Sequence, residues 1–258
     1  MFQRNRIPFI IVFLVCLSIF TVAHSGFAAD TKDKPKDSKD KNKEVSFDIK
    51  PEEMVAKLKT AAVEDIKPDE LEWTRKLYPS RYRPLSMDFE DKDVQKYLQS
   101  VPQNLQEGEK ARIEKIRDVK PLIVRIIERN PYDPKTGGIK IRSGTSTTSV
   151  SGMISLANEE MVIVKKGKND KKGKRYKWDE LAFEQYENFL TYYAGQRLQK
   201  AGGNVSKDES RKYAGEDYFR LALLCDWFGE YESCIEHLKK AIELNPDLKN
   251  SAGPLLLN

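Results

Sequence analysis

Apolar positions early in the chain recur with the spacing of an α-helix. Over residues 51–66, Met54, Val55 and Leu58 share one helical face behind a proline and two acidic residues, which is typical of a helix start. Weaker patterns of the same period follow in three later stretches. The spacing therefore predicts a helical region over residues 48–119.

Beyond Pro121, where the last of these helices is expected to end, the apolar runs become short, β-branched and separated by turn residues. Such runs favour a small antiparallel sheet or an SH3-like barrel. We therefore predict a small β domain over residues 120–178 and, with its flanking helices, an α+β fold. The predicted strands are 121–128, 137–142, 150–157 and 159–166, with 174–178 as a fifth.

A helical pattern returns over residues 179–258, and Asp179 is suited to cap its first helix. That helix carries one broad stripe of aromatic and small residues, typical of core packing. Two more helical faces follow, separated by Gly229 and ended by Pro246. The stripe is Tyr186, Phe189, Leu190, Tyr193, Ala194 and Leu198; the later faces are Tyr218, Leu221, Ala222 and Cys225, then Cys234, Leu238, Ala241 and Ile242.

The last two helical faces, over residues 215–248, resemble a tetratricopeptide repeat. Small residues at the contacts permit close approach of two helices, and a glycine turn and a closing proline complete the pattern. The resemblance implies a helical hairpin that packs on neighbours and often binds peptides or partner proteins. The matching residues are Tyr218, Leu221, Ala222, Gly229, Tyr231, Leu238, Ala241 and Pro246, while Cys234 stands where the family prefers alanine.

A single repeat leaves helix faces uncovered, since such arrays usually need about three units. We expect the helix at 180–199 to cover one side of the hairpin, and the tail of the chain or another protein to cover the other. The expected groove side is mostly apolar, so its residues either contact a partner protein or peptide or simply pack on the neighbouring helix. The predicted partner-binding residues are Phe219, Arg220, Leu223 and Trp227.

The start of the chain has the layout of a secretory signal peptide, with two arginines, an apolar run over 7–22 and then small residues. We predict a signal peptide at 1–29 and an exported protein, periplasmic or extracellular. An uncleaved membrane anchor is the alternative, although the run is short for a span of roughly 20 residues. Residues 30–47 are rich in lysine and aspartate and offer little apolar area to bury, which predicts a disordered linker.

The formal net charge of +5 falls to +3 without the signal segment, because Arg4 and Arg6 are its only charged residues. One stretch departs from this near balance, with eight basic residues, one aspartate and two aromatic neighbours. It indicates contact with an anionic polymer or lipid surface, contact with nucleic acid, or a solvated tip that prevents edge-to-edge sheet association. Its basic residues are Lys165, Lys166, Lys168, Lys171, Lys172, Lys174, Arg175 and Lys177.

The sequence offers little that predicts catalysis. His237 is the one histidine beyond the signal segment, and with two cysteines it makes no closed zinc set. A glycine-rich phosphate loop, a nucleophile elbow and a metalloprotease motif are all absent from the sequence. The Ser/Thr run at 143–152 has no base nearby. We therefore predict a protein that is not an enzyme and uses no cofactor or metal.

Two features leave alternatives open. Residues 73–84 interleave arginines with aromatic residues, a pattern that serves both ordinary packing and recognition. Cys225 and Cys234 lie nine residues apart across the Gly229 turn. Export permits a disulfide between them, but burial as two free, small apolar side chains is the favoured interpretation of the pattern.

These features favour an exported, non-catalytic scaffold protein that binds another protein or peptide through residues 215–248. The alternative is an envelope-binding module that holds an anionic polymer or lipid surface through residues 165–177. Nucleic acid is the least favoured partner, and no pattern specifies an oligomeric state.

We expect N-terminal sequencing of the exported protein to find a mature N-terminus between residues 26 and 30. Small residues follow the apolar run there, as signal peptidase sites require. A chain with Met1 intact in a membrane fraction would instead indicate an uncleaved anchor.

Overall fold

The computed structural model describes residues 46–134, 136–167, 169–199 and 206–250. The predicted signal peptide at 1–29, and all but the last two residues of the predicted linker at 30–47, lie outside the described residues. None of the helices within these ranges is long and apolar enough to cross a membrane. The helices are α1 (Pro51–Thr60), α2 (Pro68–Thr74), α3 (Asp91–Ser100), α4 (Gln106–Arg117), α5 (Val119–Arg129), α6 (Phe183–Gln199), α7 (Lys207–Phe228) and α8 (Tyr231–Leu244). The strands are β1 (Ile139–Ser143), β2 (Ser146–Val150), β3 (Met153–Ala157), β4 (Met161–Lys165) and β5 (Lys174–Lys177).

The predicted α+β class is confirmed, with the strands lying between two groups of helices along the chain. The strands form two antiparallel sheets, β1–β2 and β3–β4–β5. The sequence therefore predicted the antiparallel pairing correctly, but the described strands do not close into one barrel. The predictions missed β2. This strand is rich in serine and threonine and mostly exposed, so it lacks the apolar alternation that marks a half-buried strand.

The strand predicted at 121–128 is wrong, because these residues belong to α5. Val119, Ile123 and Ile127 recur every four residues and are fully buried, so tertiary packing overrides the β preference of this β-branched run. Pro121 lies in the first turn of the helix, where its missing N–H has no intrahelical partner to lose. The N-terminal helices consequently extend to residue 129, and the strands begin at residue 139 rather than 120.

The sheets are held against the helices by contacts around Tyr132, which lies in the segment between α5 and β1. Its backbone N–H donates to the carbonyl of Ile154 in β3 at 3.0 Å, and the reciprocal hydrogen bond is 2.8 Å. The Tyr132 ring packs edge-on against Phe189 of α6, with centroids 4.8 Å apart. This contact is one of several that bury the predicted aromatic stripe of α6, of which only Leu198 is partly exposed.

Helices α7 and α8 form the predicted helical hairpin, with α6 packed along α7 as expected. Gly229 has a φ of +85°, a left-handed conformation that favours glycine, and it ends α7. The end of α8 lies very close to α7 at Gly215. A Cβ added there would lie 2.6 Å from the Cβ of Asn245 and 2.9 Å from the carbonyl oxygen of Ala241.

We predict that Gly215→Ala lowers the free energy of unfolding by about 1–3 kcal/mol, because the added methyl group overpacks the α7–α8 contact. The matched control is Gly195→Ala in α6, where an added Cβ has no neighbour within 4 Å. That substitution should stabilise the protein by up to about 1 kcal/mol through helix propensity alone. Urea unfolding of the two variants gives the comparison, and equal effects would contradict the close approach.

Candidate functional site

The four predicted partner-binding residues do not form an exposed row. Phe219, Leu223 and Trp227 are all buried, so the prediction is wrong for these three. Arg220 is half-buried and pairs with Asp217 on the same helix at 3.2 Å. These apolar side chains pack on neighbouring parts of the same chain, which is the alternative that the sequence left open for them.

The N-terminal helices cover the side of the hairpin that was expected to meet the tail or another protein. The Trp227 ring packs edge-on against Phe89 and against Tyr97 of α3, with centroid distances of 5.8 and 5.9 Å. Helix α2 lies against α8, and α4 lies against α7. The hairpin is therefore an internal part of this fold, and its helical neighbours α2, α4 and α6 all come from earlier in the chain.

A buried cluster of charges lies at this contact and is centred on Asp226 of α7. Arg75, which follows α2, donates through Nε to Asp226 Oδ1 at 2.7 Å. Arg112 of α4 donates through Nη1 to Asp226 Oδ2 at 3.1 Å. Arg81 donates through Nη1 to the Asp226 carbonyl oxygen at 3.2 Å and lies 3.4 Å from Oδ2. Three arginines from the N-terminal region therefore hold one carboxylate of the C-terminal hairpin.

Glu109 of α4 supplies the second carboxylate of this charged cluster, which consists of Arg75, Arg81, Glu109, Arg112 and Asp226. Its Oε1 accepts a hydrogen bond from the Tyr97 hydroxyl at 3.0 Å and lies 3.6 Å from Arg81 Nε. Its Oε2 lies 3.4 Å from Arg112 Nη1. The five side chains are at most slightly exposed and together carry one net positive charge.

The charged cluster shifts the pKa of Asp226 and that of Arg81 strongly. Burial alone would raise the pKa of Asp226, but the positive charges of Arg75, Arg81 and Arg112 outweigh it and hold the pKa at about 2. For Arg81, burial lowers the pKa, and the charges of Asp226 and Glu109 raise it further than burial lowers it. Both groups are therefore ionised at neutral pH, which is the state in which they pair.

The arginine-aromatic stretch at 73–84 is thereby assigned mainly to packing. The Arg81 guanidinium lies 5.0 Å from the Tyr78 ring centroid and 5.2 Å from that of Trp227. Nearer the surface, Arg83 donates to the carbonyl oxygen of Phe228 at 3.4 Å. These arginines attach the N-terminal region to α7 and its turn, so they are engaged within the chain.

A surface cavity of about 670 Å³ lies between residues 87–90 and α5. Its lining includes Phe89, Val124 and the ion pair of Lys120 with Asp88. Histidine, cysteine, serine and threonine are absent from this described lining, so the cavity offers none of those nucleophiles or imidazole bases.

The predicted basic stretch forms an exposed hairpin, termed the basic hairpin (residues 165–177), with β4 leading into it and β5 leaving it. Asp170 builds its turn by accepting backbone N–H bonds from Gly173 at 2.9 Å and Lys166 at 3.1 Å. These bonds lower the pKa of Asp170. Lys165 is half-buried, and Lys168 lies outside the described residues. The exposed basic side chains are Lys166, Lys171, Lys172, Lys174, Arg175 and Lys177.

Another group of polar side chains was not predicted from the sequence. His237 Nε2 of α8 lies 2.8 Å from Glu187 Oε1 of α6, and the buried thiol of Cys225 lies beside them. Both Cys225 and Cys234 are buried and have free thiols. Burial raises the pKa of both thiols. The three groups lie far apart in the sequence, and no local pattern predicted that they would meet.

We predict that Asp226→Asn lowers the free energy of unfolding by about 3–5 kcal/mol at pH 7, because it leaves buried arginines without their counter-charge. The difference in the free energy of unfolding between this variant and the wild type should shrink as the pH falls from about 4 to about 2. Since the folded pKa of Asp226 lies below its ordinary value, its stabilising charge is present above that value and is lost as the pH falls through about 2.

Urea unfolding at several pH values measures this difference. The control is Asp247→Asn, which removes an exposed ion pair with Lys212 and should leave the unfolding midpoint nearly unchanged. A pH-independent effect of Asp226→Asn, or an effect equal to that of the control, would contradict the role given to the cluster.

Comparison with known proteins identifies no relative of this chain. No protein-family model matches it, and neither does any curated protein or solved structure. The resemblance of residues 215–248 to a tetratricopeptide repeat therefore stays a prediction, and function has to be argued from the geometry of the described residues.

Proposed function

We propose that this chain is an exported, non-catalytic binding protein that attaches to an anionic surface rich in phosphate groups through the basic hairpin. The observation that carries the proposal is the electrostatic state of that hairpin. Its six exposed basic side chains form no ion pair with any residue that the structure describes. An anion can therefore bind them without displacing an acidic partner.

Several other basic residues of the fold do form ion pairs. Lys57 pairs with Glu70 at 2.7 Å, Arg117 with Asp91 at 2.7 Å, and Arg197 with the buried Asp217 at 2.7 Å. Elsewhere, then, positive charge is often neutralised locally, whereas on the basic hairpin it accumulates. Clustered unpaired cations create a positive potential that attracts polyanions.

The basic hairpin is also held in a defined shape. Strands β4 and β5 pair from Met161 with Lys177 to Val164 with Lys174, and Asp170 ties the turn. Tyr176 faces inward and is buried, while its neighbours Arg175 and Lys177 point to solvent. A preformed cationic loop loses less conformational entropy on binding than a disordered one.

Protein binding through residues 215–248 has less support, because the residues expected to make the contact are buried. We propose instead that this hairpin, which resembles a tetratricopeptide repeat, serves as an internal packing module. Its neighbours would be α6 on one side and the N-terminal helices on the other. The signal segment would deliver the protein to the compartment where an anionic envelope surface is accessible.

We predict that replacing Lys171, Lys172 and Lys174 with glutamine weakens binding to vesicles containing phosphatidylglycerol by about 100-fold, since each lysine near such a surface contributes about 1 kcal/mol. Co-sedimentation across a salt series measures the affinity, which should also fall as salt rises. The control replaces the exposed Lys59, Lys110 and Lys239 with glutamine, which changes the net charge equally.

The phosphate groups could belong to a polymer or to lipid headgroups, and a soluble polyphosphate competitor distinguishes these two sources. Competition at low concentration would indicate a polymer, and vesicle binding that persists would indicate lipid headgroups. Equal losses in the two triple variants, or no binding by the wild type, would contradict the proposal. Aggregation of the hairpin variant without any change in binding would instead assign the lysines to protection of the β5 edge.

A further inference from the structure

Three side chains that commonly bind transition metals meet where α6, α7 and α8 pack together. Glu187 comes from α6, Cys225 from α7 and His237 from α8. Their ligand atoms all lie within 4.8 Å of one another, and His237 Nε2 and Glu187 Oε1 are 2.8 Å apart. The sequence separates the three by many residues, and the packing of three helices brings them together.

The donor set matches one ion better than others. Zn²⁺ binds cysteine sulfur, histidine nitrogen and carboxylate oxygen at about 2.0–2.3 Å, so ligand atoms around one ion lie about 3–4 Å apart. The spacing of these three groups needs only small side-chain rotations to reach that geometry. A calcium or magnesium site would use oxygen ligands almost exclusively and would not include a thiol.

The surroundings suit a bound ion with access to solvent. Cys225 is fully buried, whereas the side chains of His237 and Glu187 are 14% and 28% exposed, so the group opens to solvent on one side. The Tyr218 ring lies against the His237 imidazole, with centroids 5.9 Å apart, and limits its orientation. Each ligand projects from a helix, which holds it more precisely than a loop would.

We propose that Glu187, Cys225 and His237 form a zinc site in which one ligand comes from each of three consecutive helices. Water occupies the fourth position, on the side where Glu187 and His237 reach solvent. The thiol of Cys225 gives up its proton to solvent when the metal binds, and no electron transfer is involved. The bound ion ties α6 to the α7–α8 hairpin. This proposal is independent of the function proposed for the basic hairpin.

The test uses the full chain, reduced and free of metal, titrated with Zn²⁺ by calorimetry and with Co²⁺ by absorption spectroscopy. We expect one equivalent of each ion to bind, and the Co²⁺ form to show a thiolate-to-cobalt charge-transfer band. Cys225→Ala should abolish that band. His237→Gln and Glu187→Gln should each weaken Zn²⁺ binding by more than about 100-fold, since losing even an outer partner of a ligand costs about 10–100-fold.

Two controls separate this site from other metal-binding groups of the chain. Cys234→Ala removes the neighbouring buried cysteine, which is outside the group, and should leave the charge-transfer band unchanged. The double variant Cys16→Ala, His24→Gln removes the other cysteine and histidine of the sequence and should also bind one equivalent. Glu187 is partly exposed, so its glutamine variant should fold normally and remain informative if a cysteine variant does not.

Several results would overturn the proposal. One is the absence of stoichiometric Zn²⁺ binding to the wild type. Another is a Co²⁺ spectrum without the thiolate band, which would exclude Cys225 as a ligand. Zn²⁺ binding that persists at wild-type affinity in His237→Gln and Glu187→Gln would leave these two side chains as a simple hydrogen-bonded pair between α6 and α8.

Discussion

The carboxylate of Asp226 is buried in the interior, where an ionised group is tolerated only if its charge is paired and its hydrogen bonds are made. Its partners Arg75, Arg81 and Arg112 all come from the N-terminal region, more than 100 residues away in the sequence. The Asp226 carboxylate can therefore be paired with these arginines only if the two ends of the described chain pack together. Aromatic packing of Trp227 with Phe89 and Tyr97 excludes water from the same contact and strengthens the electrostatic interactions there.

This constraint changes how the C-terminal hairpin is understood. A repeat-like helical pair usually needs neighbours to cover its apolar faces. In this fold the charged cluster and α4 cover one face, and α6 covers the other. The hairpin consequently acts as a core element, and the binding surface that we propose is the basic hairpin between β4 and β5. The polar group formed by Glu187, Cys225 and His237 lies on the α6 side of α7, away from the N-terminal contact.

Much of the local structure could be predicted from the sequence. Helical spacing identified α1, α4, α6, α7 and α8, and turn residues identified β4 and β5, because local periodicity reports which face each element buries. The prediction failed at α5, where β-branched residues suggested a strand and the four-residue spacing of Val119, Ile123 and Ile127 was the better indicator. It also failed at Phe219, Leu223 and Trp227. Whether an apolar helix face meets a partner or the same chain depends on long-range contacts, which no local pattern contains. The pairing of Asp226 with three distant arginines was hidden for the same reason.

Native-state hydrogen exchange at increasing urea tests most directly whether the N-terminal helices and the C-terminal hairpin are one cooperative unit. If Asp226 joins them as described, the buried amides of Ile113 in α4 and Leu224 in α7 should open with the same free energy and the same urea dependence. If the amides of α7 and α8 instead stay protected after those of α4 have exchanged, the hairpin folds independently of the N-terminal helices, which would contradict the central role of Asp226.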